Sequence, residues 1–190
     1  MLLISQNINS YDIEIPKNSV LRINMAWCNS LKELEEKLIG GKQNEFFIDL
    51  PIGRIKPPNN RYTLDEMIPI IESNSNVKYF AVSNVETKKD IDEFIQKLPK
   101  EVIIVPKIES VKAIDNIDKI CNSLKTSEKV VMLDHDDLFS SIVRNNGKRE
   151  KFQECIKELI DYCQENNISL LRTVGVVFSD DEKRTTQYIK

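Results

Sequence analysis

The sequence predicts a parallel α/β fold: a short TIM-type (β/α) barrel, either complete or partly open, built as one domain over residues 1–190 with an irregular N-terminal segment at 1–18. Three observations lead there. A chain of 190 residues is on the order of one domain by length alone. From residue 19 onward, short apolar runs alternate with amphipathic stretches, the pattern of βαβ units. About six such units can be counted, whereas a closed barrel needs eight and roughly 250 residues.

The strands are read in order as SVLRINM (19–25), EFFIDL (45–50), KYFAVS (78–83), VIIVP (102–106), KVVMLD (129–134) and ISLLRTVGVVF (168–178). Their nearly continuous hydrophobicity suits strands buried on both faces. LLIS and YDIEI near the N-terminus can add one or two more, although no helix fits between them. Ser30 with Glu33, and Thr63 with Glu66, have capping-box spacing ahead of the first two helices. Pro69 must kink the second or sit in its first turn. Ile91, Phe94, Ile95 and Leu98 mark a third helix, and Ile114, Ile117, Cys121 and Leu124 a fourth. Phe152, Cys155, Ile156, Leu159, Ile160 and Cys163 mark a fifth, behind the charged start Lys148, Arg149 and Lys151; residues 180–190 are read as a sixth. An incomplete barrel leaves a sheet edge, which proteins cover or pair, so self-association into a homo-oligomer is expected.

Composition excludes several classes. With 41% hydrophobic and 30% charged residues the chain is globular rather than disordered. No run approaches the roughly 20 apolar residues of a membrane span. The N-terminus has no basic region of the kind that opens a secretory signal. A soluble, cytoplasmic protein with no membrane partner is expected. Lys plus Arg number 27 against 30 Asp plus Glu, interspersed to a net charge of −3, which gives no field for a nucleic acid. Cysteines at 28, 121, 155 and 163 form no C-x-x-C pair. Cys155 and Cys163 are read as buried thiols; Cys28, after a strand, is the one adjacent to a site.

In parallel α/β folds reactive groups gather at the carboxyl ends of the strands. Here those ends carry Arg22 and Asn24, then Asp49, then Ser83 and Asn84, then Lys107 and Glu109, then Asp134, His135, Asp136 and Asp137. Converging cations and carboxylates suit a divalent ion with an anionic substrate, and hard oxygen ligands suit Mg or Mn.

VIIVPKIESVKAIDNIDKI followed by VVMLDHDDL resembles the paired strand ends of pyruvate kinases and of the wider phosphoenolpyruvate/pyruvate barrel superfamily. LRIN and FFIDLPIGRIK resemble, in the same order, that family's R-x-N and D-x-x-G-x-x-R/K strands. The resemblance implies Glu109 and Asp137 as ligands of Mg or Mn, and Lys107 as the cation at the enolate or transferring phosphoryl group. It implies Arg22 as the phosphate-facing arginine, and Asn24 and Asp49 as ligands of a monovalent cation such as K. Lys107 and Arg22 are thus the expected catalytic pair, with Asn24, Asp49 and Ser83 toward the substrate, a small anionic keto-acid or enol phosphate. The chain departs from the kinases at Ala26, where they carry Ser, at Asp136, where they carry Gly, and in lacking the nucleotide-covering domain after the Asp49 strand. The same segments resemble the citrate lyase beta subunit and related aldolases through IES at 108–110, VETKKDI at 85–91 and an acidic residue before D-L.

Other readings stand beside these. His135, the sole histidine, is a turn residue satisfied by its acidic neighbours or a general base. Trp27 and Cys28 pack in the core or line the pocket. Arg54, Lys56 and Arg61 clamp a phosphate or belong to a solvated loop. Three functions follow: a phosphoryl- or enolpyruvate-transferring enzyme, a carbon–carbon lyase using the same enolate, or a non-catalytic barrel subunit.

Overall fold

The computed structural model describes residues 2–5, 19–53, 58, 60–178 and 184–189, with residues 2, 5, 173–178 and 184–189 described by their backbone only. Eight strands form one sheet in chain order: β1 (Leu2–Ser5), β2 (Ser19–Asn24), β3 (Glu45–Leu50), β4 (Val77–Val82), β5 (Ile103–Ile108), β6 (Val130–Leu133), β7 (Ser169–Phe178) and β8 (Arg184–Ile189). The first seven run parallel and form an open partial barrel; β8 returns antiparallel on β7. The two sheet ends are not hydrogen-bonded to each other, although Cα atoms of β1 and β8 come within 8 Å.

All six predicted runs are strands, and LLIS is a seventh; YDIEI lies outside the described residues. The expected sixth helix is corrected, since residues 184–189 are strand β8. The reason is local: Thr185, Thr186, Tyr188 and Ile189 favour a pleated strand over a helix.

The helices are α1 (Leu31–Gly40), α2 (Leu64–Glu72), α3 (Lys89–Lys97), α4 (Val111–Asp115), α5 (Ile117–Ser123), α6 (His135–Arg144) and α7 (Glu150–Glu165). Ser30 caps α1 by accepting from the Glu33 N–H, while Glu33 reaches back to Asn29 and not to Ser30. Thr63 and Glu66 close a full capping box on α2. Pro69 lies beyond the first turn of α2, where its missing N–H forfeits one helical hydrogen bond. The expected fourth helix breaks at Asn116, whose side chain donates to the Lys112 carbonyl and separates α4 from α5. The sequence reading missed α6. It is signalled by Asp134 as N-cap, by Asp136 and Asp137 in the first turn, and by Leu138 and Ile142 buried one turn apart.

Strand alternation sorts the core into layers. Leu21, Ile23, Phe46, Ile48, Leu50, Phe80, Val82 and Ile104 pack with α1, α2 and α3 in one cluster. Ile108, Val131, Leu133 and Leu170 pack with α4, α6 and α7 in a second. Leu3, Val20, Phe47, Tyr79, Ala81, Val105, Val130, Met132 and Leu171, drawn from all seven parallel strands, form a third cluster on the other sheet face.

The ladder is shortest between β5 and β6, where only Lys107↔Met132 and Ile108↔Leu133 pair. Pro106 immediately precedes this pairing and has no N–H to donate to either neighbour.

Candidate functional site

The period that buries the third cluster also builds the site. Residues two apart on a strand share a face, so the face of Val20 carries Arg22 and Asn24, and that of Phe47 carries Asp49. By the same count, Ala81 leads to Ser83, Val105 to Lys107 and Glu109, and Met132 to Asp134. On this face each of these strands is apolar in its middle and polar where it leaves. The polar ends open into a cavity of about 350 Å³ lined by Arg22, Asn24, Ser83, Lys107, Glu109 and Asp134, with α6 supplying Asp137 and Arg144.

At its centre, the Lys107 ammonium sits 2.7 Å from Glu109 Oε1 and 3.6 Å from Asp134 Oδ2, and it donates to Ser83 Oγ at 3.3 Å. Both Lys107 and Glu109 are buried. Burial alone would lower the Lys107 pKa. The carboxylates of Asp49, Glu109 and Asp134 outweigh it and hold the amine well above its ordinary range, so Lys107 is a fixed cation at neutral pH. Burial pushes the Glu109 carboxyl up, against the opposing charge of Lys107 and the hydrogen bonds from Lys107 and the Asn84 N–H.

Asn84 holds the other side of Glu109. Its backbone N–H donates to Oε2 at 2.6 Å from a left-handed conformation of φ 55°, which asparagine tolerates better than most residues. Its side chain donates to the Ile52 carbonyl at 2.5 Å and so ties the loop after β3 to the site. That loop turns at Gly53 with φ 68°, a conformation suited to glycine.

Arg22 forms an ion pair with Asp49, which is 0% exposed. Its Nε donates to Asp49 Oδ2 at 3.1 Å, fixing the guanidinium plane at the cavity wall. Asn24 Oδ1 accepts from the Ala26 N–H and caps the 3-10 turn Met25–Trp27. The two residues assigned to K are thus engaged with the chain itself.

One ligand atom from each of Glu109, Asp134 and Asp137 lies within 4.8 Å of the others. Around an octahedral Mg ion at its usual bond length, adjacent oxygens stand about 3 Å apart and opposite ones about 4.2 Å, and three ligands include at most one opposite pair, so the carboxylates must draw together to coordinate an ion. The set consists of hard oxygen donors, and water can complete the shell. It contains the expected pair, Glu109 and Asp137, and adds Asp134. Asp134 also caps α6 by accepting from the Asp137 N–H, which places its carboxylate against the first turn of the helix that carries Asp137. Asp136 is exposed, yet also lines the cavity.

Other candidates lie elsewhere. Cys28 is buried and donates to the Ser30 carbonyl, with burial raising its thiol pKa. Trp27 is 59% exposed, so its expected place in the core is corrected. The 3-10 turn that Asn24 caps ends at this residue and leaves it at the surface. His135 opens α6 with Nδ1 buried and without a hydrogen-bond partner among the described residues, so its acidic neighbours do not satisfy it. Burial, then the charge of Arg172, holds its pKa below the ordinary value. Its ring meets Phe152 edge-on, and it is not among the cavity-lining residues. Arg54 and Lys56 lie outside the described residues; Arg61 is exposed and does not line the cavity.

No family model matches the chain, and no curated protein matches it. Among solved structures the fold matches RipC from Yersinia pestis with a TM-score of 0.58 at 13% identity, over 85% of this chain and 72% of that one. At such identity the likeness is one of fold. In all, 155 chains of solved structures match, and likeness of fold does not select a chemistry. No helix among the described residues is long and apolar enough to cross a membrane.

Proposed function

We propose that the protein is a metal-dependent enzyme of the pyruvate kinase-like superfamily, on a TIM-type barrel, acting on a phosphoenolpyruvate- or pyruvate-type acid through its enolate. The observation that carries this reading is the buried Lys107 ammonium among the carboxylates of Glu109 and Asp134, beside Asp137 at the strand ends. A cavity of about 350 Å³ is at the small end of ligand pockets and suits a compact acid.

Glu109, Asp134 and Asp137 would hold the Mg or Mn ion, which when bound supplies Lewis-acid stabilisation of the developing negative charge. The protein's own groups do the rest. Lys107 places a permanent positive charge beside that position, preorganised by three carboxylates and Ser83. Arg22, oriented by buried Asp49, offers donors to the acid's carboxylate or phosphoryl oxygens. A K ion enters only through Asn24 and Asp49, of which Asn24 Oδ1 already accepts from Ala26 and Asp49 Oδ2 from Arg22.

A carbon–carbon lyase is the second reading, and two observations favour it. Only residues 51–63 connect β3 to α2, too few for a nucleotide-covering domain. Asp136 also brings a carboxylate to the cavity where a kinase needs glycine. Both readings place the enzyme in the cytoplasm as a homo-oligomer joined at the open sheet edge.

Thermal denaturation in Mg or Mn, with and without oxalate as an enolate mimic, tests the proposal. At a metal concentration 100 times the dissociation constant the gain is about 2.7 kcal/mol, and oxalate should add to it. A melting curve indifferent to millimolar Mg and Mn, with or without oxalate, refutes the enzyme readings and leaves the non-catalytic barrel subunit.

A further inference from the structure

α6 leads away from the carboxylate cluster along the cavity wall. Residues three, four and seven apart share one helical face. Asp137, Ser140 and Arg144 form such a row, and all three line the cavity. With about 1.5 Å of rise per residue, Arg144 starts from a point roughly 10 Å further along the axis than Asp137.

The cations of the cavity differ in what already holds them. Arg22 is paired with Asp49, and Lys107 with Glu109 and Asp134. Arg144 makes no ion pair among the described residues. Its Nε donates to the Ser140 carbonyl at 3.3 Å, which lays the side chain back along its own helix and leaves the terminal nitrogens of the fork for a ligand. A guanidinium so placed matches a carboxylate or phosphoryl group with two parallel hydrogen bonds.

We infer that Arg144 binds a second anionic group of the substrate. The substrate class is then a 2-oxo or enol acid with a distal carboxylate or phosphoryl group, its reacting end near Glu109, Asp134 and Asp137. This rests on the function proposed above, which places the reacting end there. Four carboxylates line the same cavity, so a doubly anionic substrate needs the divalent ion seated first.

Isothermal titration of the full chain in saturating Mn tests the inference. Oxalate is titrated first, to establish the reacting end. 2-Oxoglutarate and 2-oxoadipate are then compared with 2-oxopentanoate and 2-oxohexanoate, monoacids of equal length, with 2-oxo-4-phosphonobutanoate as the phosphoryl arm. The distal anion should tighten binding roughly tenfold or more, the range of a hydrogen-bonded charge pair. Whether the carboxylate- or phosphonate-ended acid binds tighter identifies the group, and neither should bind in EDTA. Arg144→Gln should bring the ratio near one, and Arg144→Lys should keep part of it. Lys148→Gln, an exposed cation that does not line the cavity, should leave the ratio intact. A wild-type ratio near one, or a ratio unmoved by Arg144→Gln, overturns the inference while oxalate binding upholds the proposed function. Failure of oxalate to bind in Mn counts against the proposed function itself.

Discussion

Replacing Lys107 with Met removes the ammonium that offsets the carboxylates of the site while keeping the length of the side chain. At 2.7 Å from Glu109 Oε1, a charge pair is worth about 6 kcal/mol at an effective dielectric constant of ~20. Much of that is spent on desolvation, and breaking a buried pair from one side costs about 3–5 kcal/mol. For a chain of this size that corresponds to a fall in Tm of roughly 6–20 °C. The pH dependence has a definite sign. Burial already raises the Glu109 pKa, and losing Lys107 removes the largest opposing influence. The folded state then holds a proton that the unfolded state releases, so the variant regains stability as pH falls from 7 toward 5. Mn should also stabilise the variant more than wild type, because the ion no longer competes with the ammonium for Glu109 and Asp134. Calorimetric melts at pH 5, 6 and 7, with Mn and with EDTA, measure all three effects. A variant melting within about 2 °C of wild type at pH 7, well short of the expected fall, would refute the buried ion pair as the centre of the site.

Asp134→Asn should abolish Mn-dependent stabilisation as completely as Glu109→Gln, because both remove a ligand of the same three-carboxylate set; melting curves with and without Mn measure it. Thr63→Ala removes the capping box of α2 and should lower Tm by about 2–4 °C at pH 7. The hydrogen bonds from Thr63 hold the Glu66 carboxyl below its ordinary value of 4.5, so the carboxylate arm of the box contributes fully above that pH and is lost as pH falls below it through the depressed folded-state value. The difference between Thr63→Ala and wild type should therefore narrow in melts at pH 3. Sedimentation velocity at micromolar concentration should show a homo-oligomer; a lone monomer would mean that the β1 and β8 edges need no partner.

Much of this was legible because one physical rule wrote it twice. Val20, Phe47, Ala81, Val105 and Met132 mark strands by their apolar character, and the same alternation then delivers Arg22, Asp49, Ser83, Lys107 and Asp134 to one end. What escaped notice lies where a short segment serves two purposes. Asp134, His135, Asp136 and Asp137 were read as the end of a strand, although Asp134 also caps α6 and so begins a helix. The cap has its own sequence signal, an aspartate ahead of an acidic first turn and of Leu138 and Ile142, which the strand reading of this segment obscures. Asn116 was hidden because its side chain breaks the helix without interrupting the apolar stripe. Residues 184–189 carry the β-branched and aromatic side chains of a strand, and antiparallel pairing with the adjacent β7 decides their conformation against a helix.

The two-residue ladder between β5 and β6 gives the site a mechanical meaning. The clusters outside the sheet change over along β5, where Ile104 packs with α1, α2 and α3 and Ile108 with α4, α6 and α7. Lys107 and Glu109 belong to the β5 side of this seam, while Asp134 and Asp137 belong to the β6 side. The Lys107–Asp134 contact therefore works as a strap across the sheet where the backbone holds it least. A cation shared by the three carboxylates would fasten the two half-shells together. Loading the site would then slow amide exchange on both sides of the seam, because opening there would require the ion to leave.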